Sequence, residues 1–243
     1  MQDLLTLAKK AAKLAGEELL SIKHPLIKTK PDGSLVSSAD LKANEIICDI
    51  LKESKISICS EEQILDYEKR KKAPFWLIDP LDGTTNYLKT RKNFCICISL
   101  IDGARPILGL IYDVCNKDIY YSAKGMPVYK NQEILNKIKK ESNKALVSLR
   151  KDQNENNAKI PFSYGYTALN IGSALKFCAL LEGFADVYLR YEMLNSWDLA
   201  AGDFLINQSG GLMLGLDKQK LNYNKPNFTC KPFIAFSSVY NKD

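Results

Sequence analysis

The segment Asp79-Pro80-Leu81-Asp82-Gly83-Thr84-Thr85-Asn86 follows the apolar run at residues 75–78. The run predicts a buried strand, so two carboxylates three residues apart lie at a strand end. These carboxylates repel each other and resist burial, and a divalent cation between them removes both costs. The backbone N–H groups and hydroxyls that follow suit a phosphate. For this segment alone, an ordinary Asp-Gly turn is an equal alternative.

Two further acidic groups favour the metal interpretation. Glu61-Glu62 directly follows the apolar run at 56–59, and Asp198 lies at the start of a predicted helix, where the helix dipole favours a carboxylate. Each group alone also fits a solvated loop or a helix-end acid. Three acidic groups at three element ends together predict an oxygen-ligand site for Mg²⁺.

The composition limits the chemistry that is available. The chain has 243 residues, a formal net charge of +6 and one histidine, His24. A zinc site built from several histidines is therefore excluded, and His24, next to Pro25, is expected in a loop facing solvent. The basic run at 69–72 has no interleaved aromatic residues, so we assign the charge to solvated surface and expect no nucleic-acid partner. A non-catalytic nucleic-acid-binding or nucleotide-binding protein is the alternative of another class.

Cysteine usage and hydropathy indicate the compartment. The seven cysteines form no CxxC pair, and most lie in apolar runs, which predicts buried reduced thiols. No run approaches the roughly 20 apolar residues of a transmembrane helix, and the N-terminus lacks a signal-peptide pattern. We therefore expect a cytoplasmic protein with no transmembrane segment.

The periodicity of apolar residues predicts an α+β first half and an α/β second half. Helices are expected at 4–19, 173–181 and 197–208. Another helix is expected to begin after Asp40, which would be its N-cap. A hairpin is expected around Asp32-Gly33. Strands are expected at 56–59, 75–78, 94–101, 107–114, 119–123, 128–129, 145–149, 185–189, 212–214 and 233–237. A polar loop is expected at 151–159.

In order along nearly the whole chain, these motifs resemble the inositol monophosphatase family of lithium-sensitive, Mg²⁺-dependent phosphomonoesterases. The matching residues are Asp40, Glu61-Glu62, Asp79-Pro80-Leu81-Asp82-Gly83-Thr84-Thr85 and Trp197-Asp198-Leu199-Ala200-Ala201-Gly202. The resemblance implies a layered αβαβα sandwich. We expect residues 1–135 to form an N-terminal α+β part with most metal ligands, and residues 136–243 a C-terminal α/β part. Together they would form one catalytic unit.

The resemblance also implies roles for individual residues. Glu61, Asp79 and the Leu81 carbonyl would hold one Mg²⁺, and Asp79, Asp82 and Asp198 a second. A third, weaker ion would lie near Glu61. Asp40 and the Thr84 hydroxyl would orient the attacking water, with Glu62 assisting. The phosphate and substrate contacts would come from Glu61, Leu81, Asp82, Gly83, Thr84, Thr85, Ser173, Lys176 and Asp198.

Two subgroups of the family compete for the substrate. Three runs are similar to bacterial 3′(2′),5′-bisphosphate nucleotidases, which predicts hydrolysis of 3′-phosphoadenosine 5′-phosphate to AMP: Lys30-Pro31-Asp32-Gly33-Ser34-Leu35-Val36, Gly172-Ser173-Ala174-Leu175-Lys176-Phe177-Cys178 and Tyr188-Leu189-Arg190. Thr85-Asn86-Tyr87 is closer to inositol monophosphatases, so an inositol phosphate is the alternative. The partner is a small phosphorylated molecule in either case. Many members of the family are dimers, so a homodimer is an oligomeric state to test.

Overall fold

The computed structural model describes residues 1–31, 33–138, 140–147 and 164–240. Six α-helices lie within these ranges: α1 (Gln2–Ser21), α2 (Ser38–Leu51), α3 (Tyr67–Arg70), α4 (Thr84–Thr90), α5 (Leu175–Leu181) and α6 (Ser196–Gln208). The first nine strands are β1 (Ile27–Thr29), β2 (Leu35–Ser37), β3 (Ser57–Ser60), β4 (Phe75–Asp82), β5 (Cys95–Asp102), β6 (Arg105–Asp113), β7 (Asp118–Ala123), β8 (Tyr129–Lys130) and β9 (Glu133–Ile134). The remaining strands are β10 (Lys144–Leu146), β11 (Thr167–Leu169), β12 (Val187–Arg190), β13 (Leu194–Asn195), β14 (Leu212–Gly215), β15 (Thr229–Cys230) and β16 (Phe233–Phe236).

The first large sheet has the strand order β3-β4-β5-β6-β7-β8-β9, and only its β3–β4 pair is parallel. Its central strands read as continuous apolar runs because both faces are covered. Trp76 and Ile78 pack towards α1 and α2, whereas Phe75 and Leu77 pack towards α5, α6 and the second sheet. The sheet is therefore enclosed between two layers of helices.

The second sheet has the order β11-β10-β12-β16-β14 and mixes parallel and antiparallel pairs. Helices α5 and α6 lie between the two sheets and share one apolar core with both. The described residues thus account for four layers, α–β–α–β, of the expected sandwich. The mixed α/β class predicted from the sequence is confirmed.

Most element predictions are confirmed with small shifts at the ends. Strands β1 and β2 form the predicted hairpin, with Ile27 paired to Ser37, although Asp32 lies outside the described residues. His24 is exposed in the bend after α1, as expected. Strand β10 covers the start of the predicted strand 145–149, whereas residues 148–149 and the predicted loop 151–159 lie outside the described residues.

Three local predictions are wrong, each for a physical reason. The N-cap of α2 is Ser37, and Asp40, the third residue of the helix, completes a capping box by accepting from the Ser37 N–H. Helix α5 begins at Leu175 rather than 173, since Ser173 has a φ of 55°. The basic run at 69–72 is not simply solvated, because Arg70 is buried and donates to the carbonyls of Leu65 and Lys225.

The thiols and the hydropathy follow the prediction. Six of the seven cysteines are buried, Cys115 is exposed, and all are free. None of the helices in the described ranges combines the length and apolar character needed to cross a bilayer. The cytoplasmic location stays a prediction.

A largely buried ion pair ties α6 to the start of β6, the central strand of the first sheet. Arg105 donates to both Asp203 carboxylate oxygens at 2.7 Å, and the Tyr223 hydroxyl donates to the same carboxylate at 2.6 Å. The Asp203 side chain has no solvent exposure, whereas Arg105 keeps 31%. Such a pair matters most when one partner is removed, because a buried charge is then left without its counter-ion.

We therefore expect Asp203→Asn to lower the free energy of unfolding by about 2–3 kcal/mol, somewhat below a fully enclosed pair because Arg105 keeps solvent access. The melting temperature should fall by roughly 4–12 °C for a chain of this size. Asp217→Asn is the matched control, since its partner Lys231 is 70% exposed. Thermal unfolding followed by circular dichroism measures both variants. Equal shifts in melting temperature for the two variants would show that the Arg105–Asp203 pair contributes no more to stability than the exposed Lys231–Asp217 pair.

Candidate active site

Three carboxylates from two distant segments meet at one edge of the first sheet. Oxygen atoms of Asp79, Asp82 and Asp198 all lie within 4.8 Å of one another. Strands β3 and β4 are parallel, so their carboxyl ends share this edge, and the Glu61 N–H donates to the Ile78 carbonyl at 3.0 Å. The acidic groups that the sequence placed at three element ends are therefore brought together.

The end of β4 aims its two carboxylates by breaking the sheet register. Asp79 pairs with Cys97 and Asp82 with Cys95, with an irregularity between the two pairs. Within this irregularity the Leu81 N–H donates to Asp79 Oδ1 at 3.0 Å, which turns the chain and fixes the Asp79 carboxylate. Both acids thus lie on the same side of the strand end although they are three residues apart.

The start of α6 aims the third carboxylate. Asp198 is the third residue of α6 and completes a capping box by accepting from the Asn195 N–H at 2.9 Å. Two hydrogen bonds from Ser196 to the Phe228 carbonyl, at 2.7 and 2.8 Å, hold this helix end in place. Trp197 packs on the Phe228 ring at 4.9 Å between centroids.

The electrostatics of this cluster favour a cation. Burial, together with repulsion from neighbouring carboxylates, raises the pKa of Asp79 and of Asp198 well above the ordinary carboxyl value. The pKa of Asp82 is also raised by burial, although the Ala174 N–H and the Lys176 charge oppose this. Three partly or fully buried oxygen donors with raised pKa values fit a hard divalent ion such as Mg²⁺.

A carboxylate–hydroxyl pair lies next to the cluster. The Thr84 hydroxyl donates to Asp40 Oδ1 at 2.8 Å and also lies 3.2 Å from the Leu81 carbonyl oxygen. The other Asp40 oxygen accepts from the Ser37 hydroxyl at 2.6 Å and from its N–H at 2.8 Å. The capping role that the sequence missed is what holds Asp40 towards Thr84.

Lys30, to which no role was assigned from the sequence, binds the paired glutamates. Lys30 Nζ, between the two hairpin strands, lies 2.6 Å from Glu61 and 2.8 Å from Glu62. Burial opposes the lysine charge, but the two carboxylates outweigh it and raise the Lys30 pKa. Burial raises the pKa of Glu61 despite Lys30. Only the hairpin's tertiary docking makes this contact, so no local sequence signal predicted it.

The turn after Asp82 leads directly into a short helix. Gly83 is the N-cap of α4 with a φ of 97°, a left-handed conformation that favours glycine. A Cβ atom there would also lie 3.0 Å from the Asn93 carbonyl oxygen. Thr84 is half-buried and Thr85 is exposed. The first N–H groups of α4 therefore lie beside the acidic cluster.

The segment before α5 reaches the same site, but differently from the prediction. The Ala174 N–H donates to Asp82, so this N–H is occupied by a carboxylate. Ser173 Oγ lies 3.6 Å from the Cys95 sulfur. Lys176 is only 5% exposed, so it is a buried side chain and not a solvated surface lysine. The Lys176 Nζ lies 3.4 Å from the Ser173 carbonyl oxygen and 5.6 Å from the Tyr188 ring centre.

Arg190 is a second cation here that we did not assign from the sequence. It is buried at the end of β12, 3.2 Å from Glu192. Its charge, like that of Lys176, opposes the rise that burial causes in the Asp82 pKa. A charged residue that ends an apolar strand run was the available signal. Lys176 and Arg190 thus place positive charge on one side of the acidic cluster.

Known proteins of one family are similar to this chain over most of its length. The family model of the inositol monophosphatase family matches residues 1–240. The 3′(2′),5′-bisphosphate nucleotidase CysQ of Escherichia coli K12 is 30% identical over 222 residues, which is 87% of this chain and 90% of that protein. CysQ of Buchnera aphidicola is 34% identical over 203 residues, covering 80% and 76%.

A solved structure is similar over almost the entire length. The crystal structure of CysQ from Bacteroides thetaiotaomicron, a bacterial member of the inositol monophosphatase family, superposes with a TM-score of 0.85 at 29% identity. The match covers 98% of each chain, and it confirms the layered fold expected from the motifs. With its fold, its motif order and a family match from end to end, the chain belongs to the inositol monophosphatase family.

Proposed function

We propose that this protein is a Mg²⁺-dependent phosphomonoesterase that hydrolyses 3′-phosphoadenosine 5′-phosphate to AMP and phosphate. The observation that carries the proposal is the cluster of Asp79, Asp82 and Asp198 oxygens beside the Asp40–Thr84 pair. The nucleotidases of the CysQ type, at 30–34% identity, support this substrate.

The residues present fit two or three divalent ions. Asp79, Asp82 and Asp198 would hold one ion, and Asp79, Glu61 and the Leu81 carbonyl another. When bound, Mg²⁺ supplies positive charge to the phosphoryl oxygens and makes a water more acidic. Glu61 must exchange part of its contact with Lys30 for the ion, because that ammonium now lies 2.6 Å from its carboxylate.

The chain's own groups would handle the proton and the phosphate. Asp40, held by Ser37, keeps the Thr84 hydroxyl oriented, and this pair would position the attacking water and take its proton. Glu62 would assist from beside Lys30. The N–H groups of Gly83, Thr84 and Thr85 would receive phosphate oxygens at the start of α4. A covalent phospho-enzyme is not needed in this scheme.

The second phosphate of the nucleotide would lie against the two buried cations. Lys176 and Arg190 both act on Asp82 and both contact Tyr188, so they converge on one region. Ser173 lies at the same edge. A bisphosphate carries more charge than an inositol monophosphate, and two desolvated cations suit it better.

An inositol phosphate is the second candidate, on the strength of Thr85-Asn86-Tyr87. The contacts of this run reduce its weight as a substrate signal. Tyr87 is fully buried and its hydroxyl donates to the Leu19 carbonyl at 2.9 Å, while the Asn86 amide donates to the Asn93 carbonyl at 3.0 Å. Two of the three residues therefore serve packing.

The predicted parts, 1–135 and 136–243, would act as a single catalytic unit. The short distance between Asp198 and Asp79 oxygens supports this, since the two residues belong to different parts. A small phosphorylated substrate remains the proposed partner in preference to nucleic acid. The homodimer stays a prediction.

Asp82→Asn should reduce phosphatase turnover by more than ~100-fold, beyond the 10–100-fold that loss of an outer-shell partner costs. In Mg²⁺-free buffer at pH 7 the same change should raise the melting temperature. The reason is that the Asp82 pKa is raised, so the folded chain loses stability as pH rises past the ordinary value of 3.8, and Asn removes this loss.

Each kcal/mol relieved corresponds to about 2–4 °C. Thermal shift assays at pH 4 and pH 7 measure the effect, which should shrink at pH 4. Asp49→Asn, at an exposed pair, is the control for both assays. Normal turnover in Asp82→Asn would show that Asp82 is not a metal ligand.

Thr84→Ala should lower kcat by about 10²–10⁴-fold, since it removes the hydroxyl that Asp40 orients. Thr84→Ser keeps the hydroxyl and should retain activity within about tenfold. Steady-state phosphate release measures both. If the Ser and Ala variants lose activity equally, the hydroxyl does not act in the reaction.

Lys176→Met should reduce kcat/KM for 3′-phosphoadenosine 5′-phosphate by roughly 10–100-fold, the equivalent of ~1.5–3 kcal/mol for a hydrogen bond to a charged group. Turnover of 2′-AMP or inositol 1-phosphate should change much less, because these lack the second phosphate. Phosphate release from the three substrates, in wild type and variant, measures this. A wild-type kcat/KM that is higher for inositol 1-phosphate would reverse the substrate assignment.

A further inference from the structure

Two buried thiols lie directly behind one of the acidic residues. Cys95 and Cys97 are two residues apart on β5, so their side chains share one face of the strand. Across the sheet Cys95 pairs with Asp82, and its sulfur lies 3.7 Å from Asp82 Oδ2. The two sulfurs and an Asp82 oxygen all lie within 4.8 Å of one another.

These separations are close to those of a coordinated ion. With Zn–S bonds of about 2.3 Å, two sulfurs of a tetrahedral site are about 3.8 Å apart. The ligand atoms therefore need to approach one another by about 1 Å or less to bind an ion. Three protein ligands plus one water complete a four-coordinate site.

We propose that Asp82, Cys95 and Cys97 form a binding site for a soft divalent cation such as Zn²⁺ or Cd²⁺. Thiolates select soft ions, whereas Mg²⁺ binds oxygen ligands, so the two classes of ion use different partners of the same Asp82. Both thiols bind as thiolates, and each binding event releases their two protons to solvent.

The site has a consequence for catalysis that rests on the proposed function. Asp82 also belongs to the oxygen cluster with Asp79 and Asp198. An ion held by Cys95 and Cys97 draws the Asp82 carboxylate towards β5. A soft cation then competes with Mg²⁺ through a shared ligand.

Binding is tested by titrating the Mg²⁺-free full chain with Cd²⁺ and following the thiolate-to-metal charge-transfer absorbance. We expect the two thiolates of each chain to bind one Cd²⁺, with release of two protons. Cys95→Ser and Cys97→Ser should each weaken binding by at least about tenfold, the loss that even an outer-shell change can cause. Cys115→Ser is the control, because this thiol is exposed.

The outcomes of this titration are distinct. No absorbance change in the wild type, or a change that is lost in Cys115→Ser and kept in the other two variants, overturns the site. Melting curves show whether each variant folds. If a Ser variant does not fold, Cys97→Val replaces it.

The shared ligand is tested separately by the Mg²⁺ dependence of phosphate release. Cd²⁺ should raise the half-saturating Mg²⁺ concentration at least tenfold more in the wild type and in Cys115→Ser than in Cys97→Ser. Cd²⁺ binding without this difference would mean that Asp82 is not shared. A chain that binds Cd²⁺ but hydrolyses no phosphate ester would instead contradict the proposed function alone.

Discussion

Mutual repulsion among the carboxylates at the carboxyl edge of β3 and β4 is the constraint on which this site depends. Each acid of the cluster is held by one backbone N–H: Asp79 by Leu81, Asp82 by Ala174 and Asp198 by Asn195. These hydrogen bonds fix direction but do not cancel the charge, as the raised pKa values show. The two sheets and α6 must therefore supply enough packing free energy to hold like charges together.

Buried charges elsewhere in the fold are handled in another way. Asp203 accepts both arms of the Arg105 guanidinium, and Asp186 accepts the N–H groups of Ser142 and Asn143. Arg70 donates to carbonyl oxygens and lies 4.3 Å from the Phe228 ring centre. The charges of Asp203, Asp186 and Arg70 are thus satisfied within the fold, whereas the pKa values of the three clustered carboxylates remain raised by burial.

The sequence indicated where the acidic residues of the cluster lie because they fall at the ends of strongly patterned elements, and metal binding by them stays a prediction. Asp79 and Asp82 end an apolar run, and Asp198 begins a helix, so local pattern was enough to place them. Three acidic groups at three element ends already favoured one shared site. The family resemblance then assigned Asp198 to the same ion as Asp79, which spacing alone does not do. Lys30 and the burial of Arg70 escaped prediction because both depend on contacts between distant segments. Asp40 was misread as a cap because Ser37 competes for that position.

Tyr87, in the helix that follows the acidic cluster, contacts the end of the N-terminal helix. The Tyr87 hydroxyl of α4 donates to the carbonyls of Leu19 and Ile22, where α1 ends, and its ring packs on Phe94. The N-terminal helix thus finds a hydrogen-bond donor for its last carbonyls in the helix that would cradle phosphate. Shortening α1 would remove these acceptors and leave a phenol hydroxyl buried without them. The end of α1 therefore helps to hold α4 in place beside the acidic cluster.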